Sequence, residues 1–337
     1  MKIFQIQDDW SMDHLKIAER EQPEPGPGEV LLKMKAASIN YRDLLVPFKG
    51  YGSFTGKLPL VPISDGVGEV VEVGAGVTRT TPGDRVCPMF MQKWIAGEPD
   101  LDEITSALGG PIDGVMQEYM VLNEGGLAKA PEFLSDEEAA TLPCAALTAW
   151  SALVTEGSVK AGDTVLLQGT GGVSLFALQF SKLLGAKVII ISSSEDKLKR
   201  AAALGADEGI NYTTTSEWGK VVKDLTIGKG VDHIIEVGGE KTLPQSLKAI
   251  RPGGTISMIG VLSGSKMGVG LGLIVTRKVR LQGITVGHRN SFEAMTRAIV
   301  QHRVKPVIDR VFPFEELKEA LEYLREGNHF GKICIRI

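Results

Sequence analysis

The chain has 337 residues, with 41 acidic and 37 Lys or Arg side chains and a formal net charge of -4. At 43% hydrophobic and 23% charged it reads as a folded protein, long enough for two domains or for one interrupted by another. Three cysteines exclude a disulfide framework and a four-cysteine zinc site, the acidic balance argues against a nucleic-acid groove, and 40 glycines without a Gly-X-Y period exclude collagen.

The opening MKIFQIQDDW carries charges by its tenth residue and does not read as a signal peptide. The apolar stretches Lys187–Ile191 and Gly268–Val275 fall far short of the ~20 residues that span a bilayer. A cytoplasmic protein with no membrane partner is the expectation. The first 125 or so residues read as mostly β. Strands are expected over Val30–Ala37, Gly66–Val73 and Arg85–Met89, punctuated by Pro-Gly turns as in a barrel or sandwich. Residues 92–114 are rich in acids and glycine and read as a surface loop or short helix. From Ser135 an acidic first turn leads into an apolar helix. Strands then alternate with helices. Strands are expected at Thr164–Gln168, Lys187–Ile191, Val231–Glu236, Gly254–Gly260 and Val279–Val286, with helices at Leu175–Leu184, Glu195–Leu204 and Lys241–Ile250. Continuous apolar strands alternating with helices predict a parallel sheet covered on both faces. Helices Phe292–His302 and Glu315–Glu326 follow, then a last strand, Lys332–Ile337. That strand needs a sheet, and a return to the first β-rich unit is one solution.

In VLLQGTGGVSLFALQFSKLLGAKVIIISSS, Gly169, Gly171 and Gly172 follow a buried strand and open a helix. This is the context of a dinucleotide loop: Gly169 for the tight turn, Gly171 and Gly172 for backbone approach to a pyrophosphate, and the helix N-terminus for its charge. Thr170 and Val173 complete the loop, and its spacing departs from GxGxxG. At the end of the second strand an NAD site usually carries Asp or Glu. Here Ser192, Ser193 and Ser194 stand there, with Lys197 beyond. Small hydroxyls and a cation suit a 2′-phosphate, so NADP(H) is expected over NAD(H). Glu195 or Asp196 turning inward is the competing arrangement, and Ser194 also reads as a helix N-cap.

AASINYRDLL (Ala36–Leu45), PISDGVGEVVEVG (Pro62–Gly74), GDRV (Gly83–Val86), LPCAALTAW (Leu142–Trp150), GTGGVS, VGGE, RPGGT and GKICI occur in this order. In these runs the chain resembles the medium-chain dehydrogenase/reductase superfamily, and its Asn-Tyr-Arg-Asp run is similar to the zinc-free quinone oxidoreductases, enoyl reductases and acryloyl-CoA-type reductases. The resemblance implies an α/β fold in which a GroES-like catalytic domain (1–130 and 288–337) holds a Rossmann domain (131–287). It also implies no metal. Asn40 stands where zinc alcohol dehydrogenases carry a cysteine ligand, and Arg42 where they carry a proton-relaying Ser or Thr, with Asp43 retained. Ile63, Ser64 and Asp65 match a Gly-His-Glu run, and Cys144 alone matches a ligand. One thiolate does not hold zinc.

Without zinc, reduction of an activated alkene asks less of a site than alcohol oxidation. Asn40, Tyr41, Arg42 and Asp43 are the nearest candidates for the catalytic work. Tyr41 or Asn40 can donate to a carbonyl or to the nicotinamide amide, and Arg42 with Asp43 can orient the loop. Tyr51 is a second phenol. For the cofactor the resemblance implies Thr148 at the nicotinamide side, Tyr212 at the adenosine end, and Glu236, Val237 and Gly238 after a strand. It adds Ile259, Gly260 and Val261 at a turn, and Lys332 as a basic residue facing the cofactor cleft. Ordinary packing is the competing account of these side chains. The expected function is NADPH-dependent hydride transfer to a small quinone, enone, enal or enoyl substrate, by a homodimer or homotetramer. The alternatives are an atypical alcohol dehydrogenase and a non-catalytic nucleotide-binding member. The five histidines show no ligand spacing.

Overall fold

The computed structural model describes residues 1–266, 268 and 271–337. Met267, Val269 and Gly270 lie outside them, so the apolar stretch Gly268–Val275 is described only in part. The described residues form two compact units, Met1–Leu147 with Val286–Ile337, and Thr148–Thr285. Residues 131–147, grouped by sequence with the second unit, cluster with the first.

The chain begins with an antiparallel pair, β1 (Lys2–Ile6) and β2 (Leu15–Glu19). Next come β3 (Glu29–Ile39), β4 (Asp65–Val73) and β5 (Arg85–Pro88), close to the expected strands. The acidic segment 92–114 contains one short helix, α1 (Leu101–Ile104). Asp100 and Glu103 cap it reciprocally, each accepting a backbone N–H of the other. Then follow β6 (Tyr119–Asn123), β7 (Leu127–Lys129) and α2 (Asp136–Ala140), whose N-cap is Ser135. The expected apolar helix does not run on uniformly. Pro143 removes a backbone donor, and wide π-type turns over Leu142–Ala146 and Ser151–Thr155 flank α3 (Leu147–Trp150).

The second unit alternates as expected: β8 (Thr164–Gln168), α4 (Gly172–Leu183), β9 (Lys187–Ser192), α5 (Glu195–Ala203), β10 (Glu208–Asn211), α6 (Trp218–Leu225), β11 (Val231–Glu236), α7 (Leu243–Ala249), β12 (Ile250–Met258), α8 (Leu271–Thr276) and β13 (Arg280–Gly283). The sequence reading passes over β10 and α6. β10 carries a single apolar residue, Ile210, so it has no periodicity to read. The strands make a parallel sheet of order β10-β9-β8-β11-β12-β13. Its inner strands are apolar on both faces because helices cover both: Val165, Leu166 and Leu167 are fully buried, as are Val188, Ile189 and Ile190.

The chain then returns to the first unit through α9 (Arg289–His302), β14 (Ile308–Pro313), α10 (Leu317–Glu326) and β15 (Lys332–Arg336). β15 pairs antiparallel with β3, matching Ile333 to Ile39, and extends a sheet of order β14-β15-β3-β4-β5-β7. The last strand therefore does close onto the β-rich unit. β3 is central in this sheet, so its end from Ala36 to Ile39 is buried on both faces. Among the described residues no helix is long and apolar enough to cross a membrane.

Candidate active site

β3 ends at Ile39, and the Asn-Tyr-Arg-Asp run after it coils into a short 3-10 turn, Tyr41–Leu44. Asp43 folds back over that turn and accepts the Asn40 backbone N–H at 2.7 Å. The β15–β3 register sets Lys332 beside the same point. Its Nζ donates to the Ile39 carbonyl at 2.7 Å and to Asn40 Oδ1 at 2.5 Å, and the residue is 4% exposed. β4 brings in Asp65, which lies opposite Ser38 in the β3–β4 register. Its carboxylate accepts the Ser64 hydroxyl at 2.7 Å and the Cys144 N–H at 3.0 Å. Asn40 Nδ2 also leans toward Asp65, without a hydrogen bond of good geometry. Two acids, one ammonium and one thiol therefore meet at the end of β3.

Arg42 completes the cluster but is turned to another task. It donates to the carbonyls of Leu108 and Gly110, both at 2.8 Å, and so ties down the acidic loop. Its guanidinium lies 4.8 Å from the centre of the Phe90 ring and 5.7 Å from that of Tyr51. Its approach to Asp43 is loose, at 3.9 Å.

Burial governs the protonation of this cluster. It pushes Asp43 up from 3.8 to about 6, against the pull of Arg42, the Asn40 N–H and Lys332. Asp65 is raised too, again by burial first, with Lys332 the chief opposing charge. The Cys144 thiol is pushed up to about 12 by burial and then by Asp65, which leaves it a poor nucleophile. Tyr51 is raised by burial, with Asp43, Cys144 and Tyr41 adding to the effect and Arg42 opposing it. Tyr41 is half exposed on the same turn.

These residues do not fit zinc. Asn40, Ser64 and Asp65 stand at the family's other ligand positions, Cys144 alone supplies a thiol, and the Lys332 ammonium is seated on the residue that stands at the first ligand's place. Among the described residues no group of three His, Cys, Asp or Glu side chains has the spacing to hold a metal ion.

The second unit fits a dinucleotide. Gly169 has φ +72°, a conformation that favours glycine, and its N–H bonds the Ile191 carbonyl at 2.7 Å. A Cβ added at Gly169 or at Gly171 would meet no atom within 4 Å, so the loop borders open space. Gly171 caps α4 without any side chain on the helix amides, which leaves them available to a phosphate. Thr170 is buried beneath the loop, while Gly172 and Val173 are partly exposed in the first turn of α4.

Ser192 is buried at the end of β9, Ser193 is exposed, and Ser194 is the N-cap of α5, accepting the Lys197 N–H at 3.4 Å. Neither acid turns inward. Glu195 accepts from Asn211 Nδ2 at 2.8 Å, and the Asp196 side chain is 90% exposed beside Lys199. Tyr212 is exposed, its N–H on the Ser192 carbonyl.

Glu236 is wholly buried. It accepts from Gln168 Nε2 at 2.7 Å, from the Ser246 and Thr242 hydroxyls at 2.5 Å each, and from the Gly238 and Gly239 N–H groups at 3.0 Å each. It is a brace for the loop at 236–239, with its acceptor capacity spent within the protein. Ile259 is tied to that loop through its N–H on the Glu236 carbonyl, and Gly260 packs closely on Val237. Val261 is exposed, and Thr148 is buried in α3.

The structure thus gathers Asn40, Asp43, Tyr51 and Lys332 in one unit, and the glycine loop and serine cluster in the other. Lys332, expected among the cofactor residues, has its ammonium on the Ile39 carbonyl and Asn40 Oδ1. Asp65 belongs to the cluster, and an acid heading an apolar strand was the signal for it. Gln168, whose Oε1 accepts the Val237 and Gly238 N–H groups at 3.3 Å, carried no sequence signal. His288 caps α9 by accepting the Ser291 N–H at 3.0 Å and packs edge-on against Trp94.

Residues 26–132 match the alcohol dehydrogenase GroES-like domain, and residues 172–301 match the zinc-binding dehydrogenase family. A zinc-type alcohol dehydrogenase-like protein of Schizosaccharomyces pombe is 46% identical over 332 residues, covering 96% of each chain. An acryloyl-coenzyme A reductase of Metallosphaera sedula is 29% identical over 95% of this chain and 96% of its own. Among solved structures, an NAD-dependent alcohol dehydrogenase superposes with TM-score 0.91 at 36% identity, covering 100% of both chains. A quinone oxidoreductase of Coxiella burnetii superposes with TM-score 0.81 at 27% identity, over 100% of this chain and 99% of that one. The chain belongs to the medium-chain dehydrogenase/reductase superfamily, with a GroES-like and a Rossmann-type unit, and is an oxidoreductase of that family.

Proposed function

We propose that the protein is an NADPH-dependent, zinc-independent reductase that delivers hydride to a quinone or to an activated alkene such as an enone, enal or enoyl group. The observation that carries this reading is the Lys332 ammonium on Asn40 Oδ1 at 2.5 Å, at a position where metal-dependent relatives use a ligand. When bound, the nicotinamide supplies the hydride. The chain's own residues have the other half of the work, which is to receive negative charge on the substrate's carbonyl oxygen. Tyr51, a phenol that stays protonated at neutral pH, is a neutral donor for that oxygen, and Lys332 is a charged one. Once charge is stabilised there, water can protonate the α-carbon, so no strong acid is required. Removing a proton from an alcohol is a harder demand on these groups, because Asp43 is sealed from solvent and its Oδ2 is engaged by the Asn40 N–H.

The preference for NADPH is supported by Ser193, which is exposed beyond β9, and by the outward positions of Glu195 and Asp196. The names of the relatives favour a second reading, alcohol oxidation with NAD. One assay separates the two. NADPH and NADH oxidation is followed by absorbance with quinones, enones and simple aldehydes, alongside metal analysis of the purified protein. Consumption of NADPH by quinones or enones is expected. Failure of every such acceptor, or stoichiometric zinc with alcohol turnover, replaces this reading with the second.

A further inference from the structure

We propose that one end of the second unit, the rim formed by the turns that enter β11, β12 and β13, docks on anionic lipid surfaces, with Ile227 as the side chain that enters the headgroup layer. Docking of this kind is independent of the hydride-transfer reading. It departs from the expectation of no membrane partner, which rests on the lack of a spanning segment; a surface-docked protein needs none.

Ile227 is the observation that carries it. It lies in the turn after α6, is 97% exposed and has φ +53°. A β-branched residue is disfavoured in that left-handed conformation, which glycine or asparagine adopts more easily. Core packing does not offset the strain, because the side chain stands almost wholly in water. The turn itself is firmly built. The Gly228 N–H bonds the Lys223 carbonyl at 2.8 Å, and the Gly230 N–H bonds Thr226 Oγ1 at 2.9 Å. An apolar side chain is thus held out on a fixed support, in a conformation that only a partner surface makes favourable.

The neighbouring residues set the charge of that partner. Gly230 abuts the entry to β12 so closely that an added Cβ would stand 2.6 Å from the Ala249 carbonyl. α6 lies against α7, where a Cβ on Gly219 would stand 3.1 Å from Lys248 Cβ. The Gly253 N–H joins β12 in turn to the Arg277 carbonyl at 2.8 Å. One contiguous surface therefore carries Lys220, Lys223, Lys229, Lys248, Arg251 and Lys278, against half as many acids, Glu217, Asp224 and Asp232. Asp232 is already shared by Arg251 at 2.5 Å and Lys229 at 3.4 Å, and Glu217 is taken by Lys248 at 2.7 Å. The rim is thus positive on a chain whose net charge is -4. Its cations are mostly lysines, and Trp218, the aromatic residue of α6, is buried. Protein interfaces are poor in lysine and rich in aromatic side chains, whereas anionic membranes attract lysine clusters. β8, β11, β12 and β13 run parallel, so their starts lie at the end of the unit opposite the glycine loop that follows β8. A lipid surface held at the rim leaves that loop uncovered.

The test is sedimentation of the full chain with vesicles of phosphatidylcholine alone and of phosphatidylcholine mixed with phosphatidylserine. Wild type is expected to sediment with the mixed vesicles only, and to be released as salt is raised. Replacing Lys223 and Lys229 together with Gln is expected to weaken that binding by about fivefold per cation. Ile227→Asn is expected to weaken it about three- to tenfold while leaving the melting temperature unchanged or higher, because asparagine tolerates a positive φ and exposes less apolar surface. Lost binding in a variant of undiminished stability separates docking from damage to the fold. A lower melting temperature in Ile227→Asn gives the side chain a role in the fold and overturns the proposal. So does equal binding of wild type to both kinds of vesicle, binding to neither, or mixed-vesicle binding that both variants retain in full. If wild type binds poly-glutamate but not mixed vesicles, the rim belongs to an acidic protein segment and the lipid assignment falls.

Discussion

Glu236 in the second unit and Asp43 in the first are both sealed from water, at 0% and 1% exposure, and they are kept there by different means. Glu236 is held by five neutral donors from two elements and a loop. Asp43 has one backbone donor on Oδ2, while Oδ1 lacks a hydrogen bond and relies on Arg42 at 3.9 Å and on Lys332 farther off. The difference separates two uses of a buried acid. A cage of neutral donors fixes geometry, and here it fixes the loop at the end of β11 and the strand leading into the glycine turn. A carboxylate balanced by cations at longer range remains easy to protonate, and it makes its surroundings sensitive to charge.

Replacing Glu236 with Ala tests the cage most severely. Five buried donors lose their acceptor, and the expected loss of stability is about 3–5 kcal/mol by chemical denaturation, with weaker nucleotide binding in whatever remains folded. A loss below about 1 kcal/mol removes the structural role assigned to the cage.

Asp43→Asn tests the other arrangement, with the opposite sign. Because the folded state raises this acid from 3.8 to about 6, its favourable contribution is complete below pH 3.8 and is lost as pH rises through about 6. The amide escapes that penalty. The variant is expected to match wild type near pH 4 and to exceed it at pH 8 by up to about 3 kcal/mol, read from melting curves across that range. A variant less stable at pH 8 than at pH 4, relative to wild type, breaks the contrast with Glu236.

The smallest expected effect concerns the nucleotide side. Ser193→Asp puts a negative charge at the exposed end of β9 and is expected to move the ratio of NADPH to NADH affinity about tenfold toward NADH. An unchanged ratio detaches the serine cluster from cofactor choice.

The glycine loop was legible because its determinants are local: strand, turn and helix follow one another within a single run, and φ +72° at Gly169 leaves its mark as a glycine. The alternating strands of the second unit were legible for the same reason, since burial on both faces writes continuous apolar runs. The site of the first unit was legible only in part. Asn40 and Asp43 lie in one motif, but their electrostatics depend on Asp65 and Lys332, which come from other strands. The partners of Lys332 were not legible, because its charge can be read from the chain and its direction cannot; the β15–β3 register brings its ammonium to Ile39 and Asn40. The interruption near Pro143 was the reverse case, a local signal outweighed by the apolar periodicity around it.

The order in which the ribosome delivers these parts has a consequence. Lys332 meets Asn40 across a separation of 292 residues, and the whole nucleotide-type unit is made in between. A nascent chain therefore has its glycine loop long before its ammonium. The unit that recognises nucleotide can form while the first unit still carries two acids with one of their countercharges missing. During synthesis the loop suited to a nucleotide therefore precedes the complete charge cluster at the end of β3.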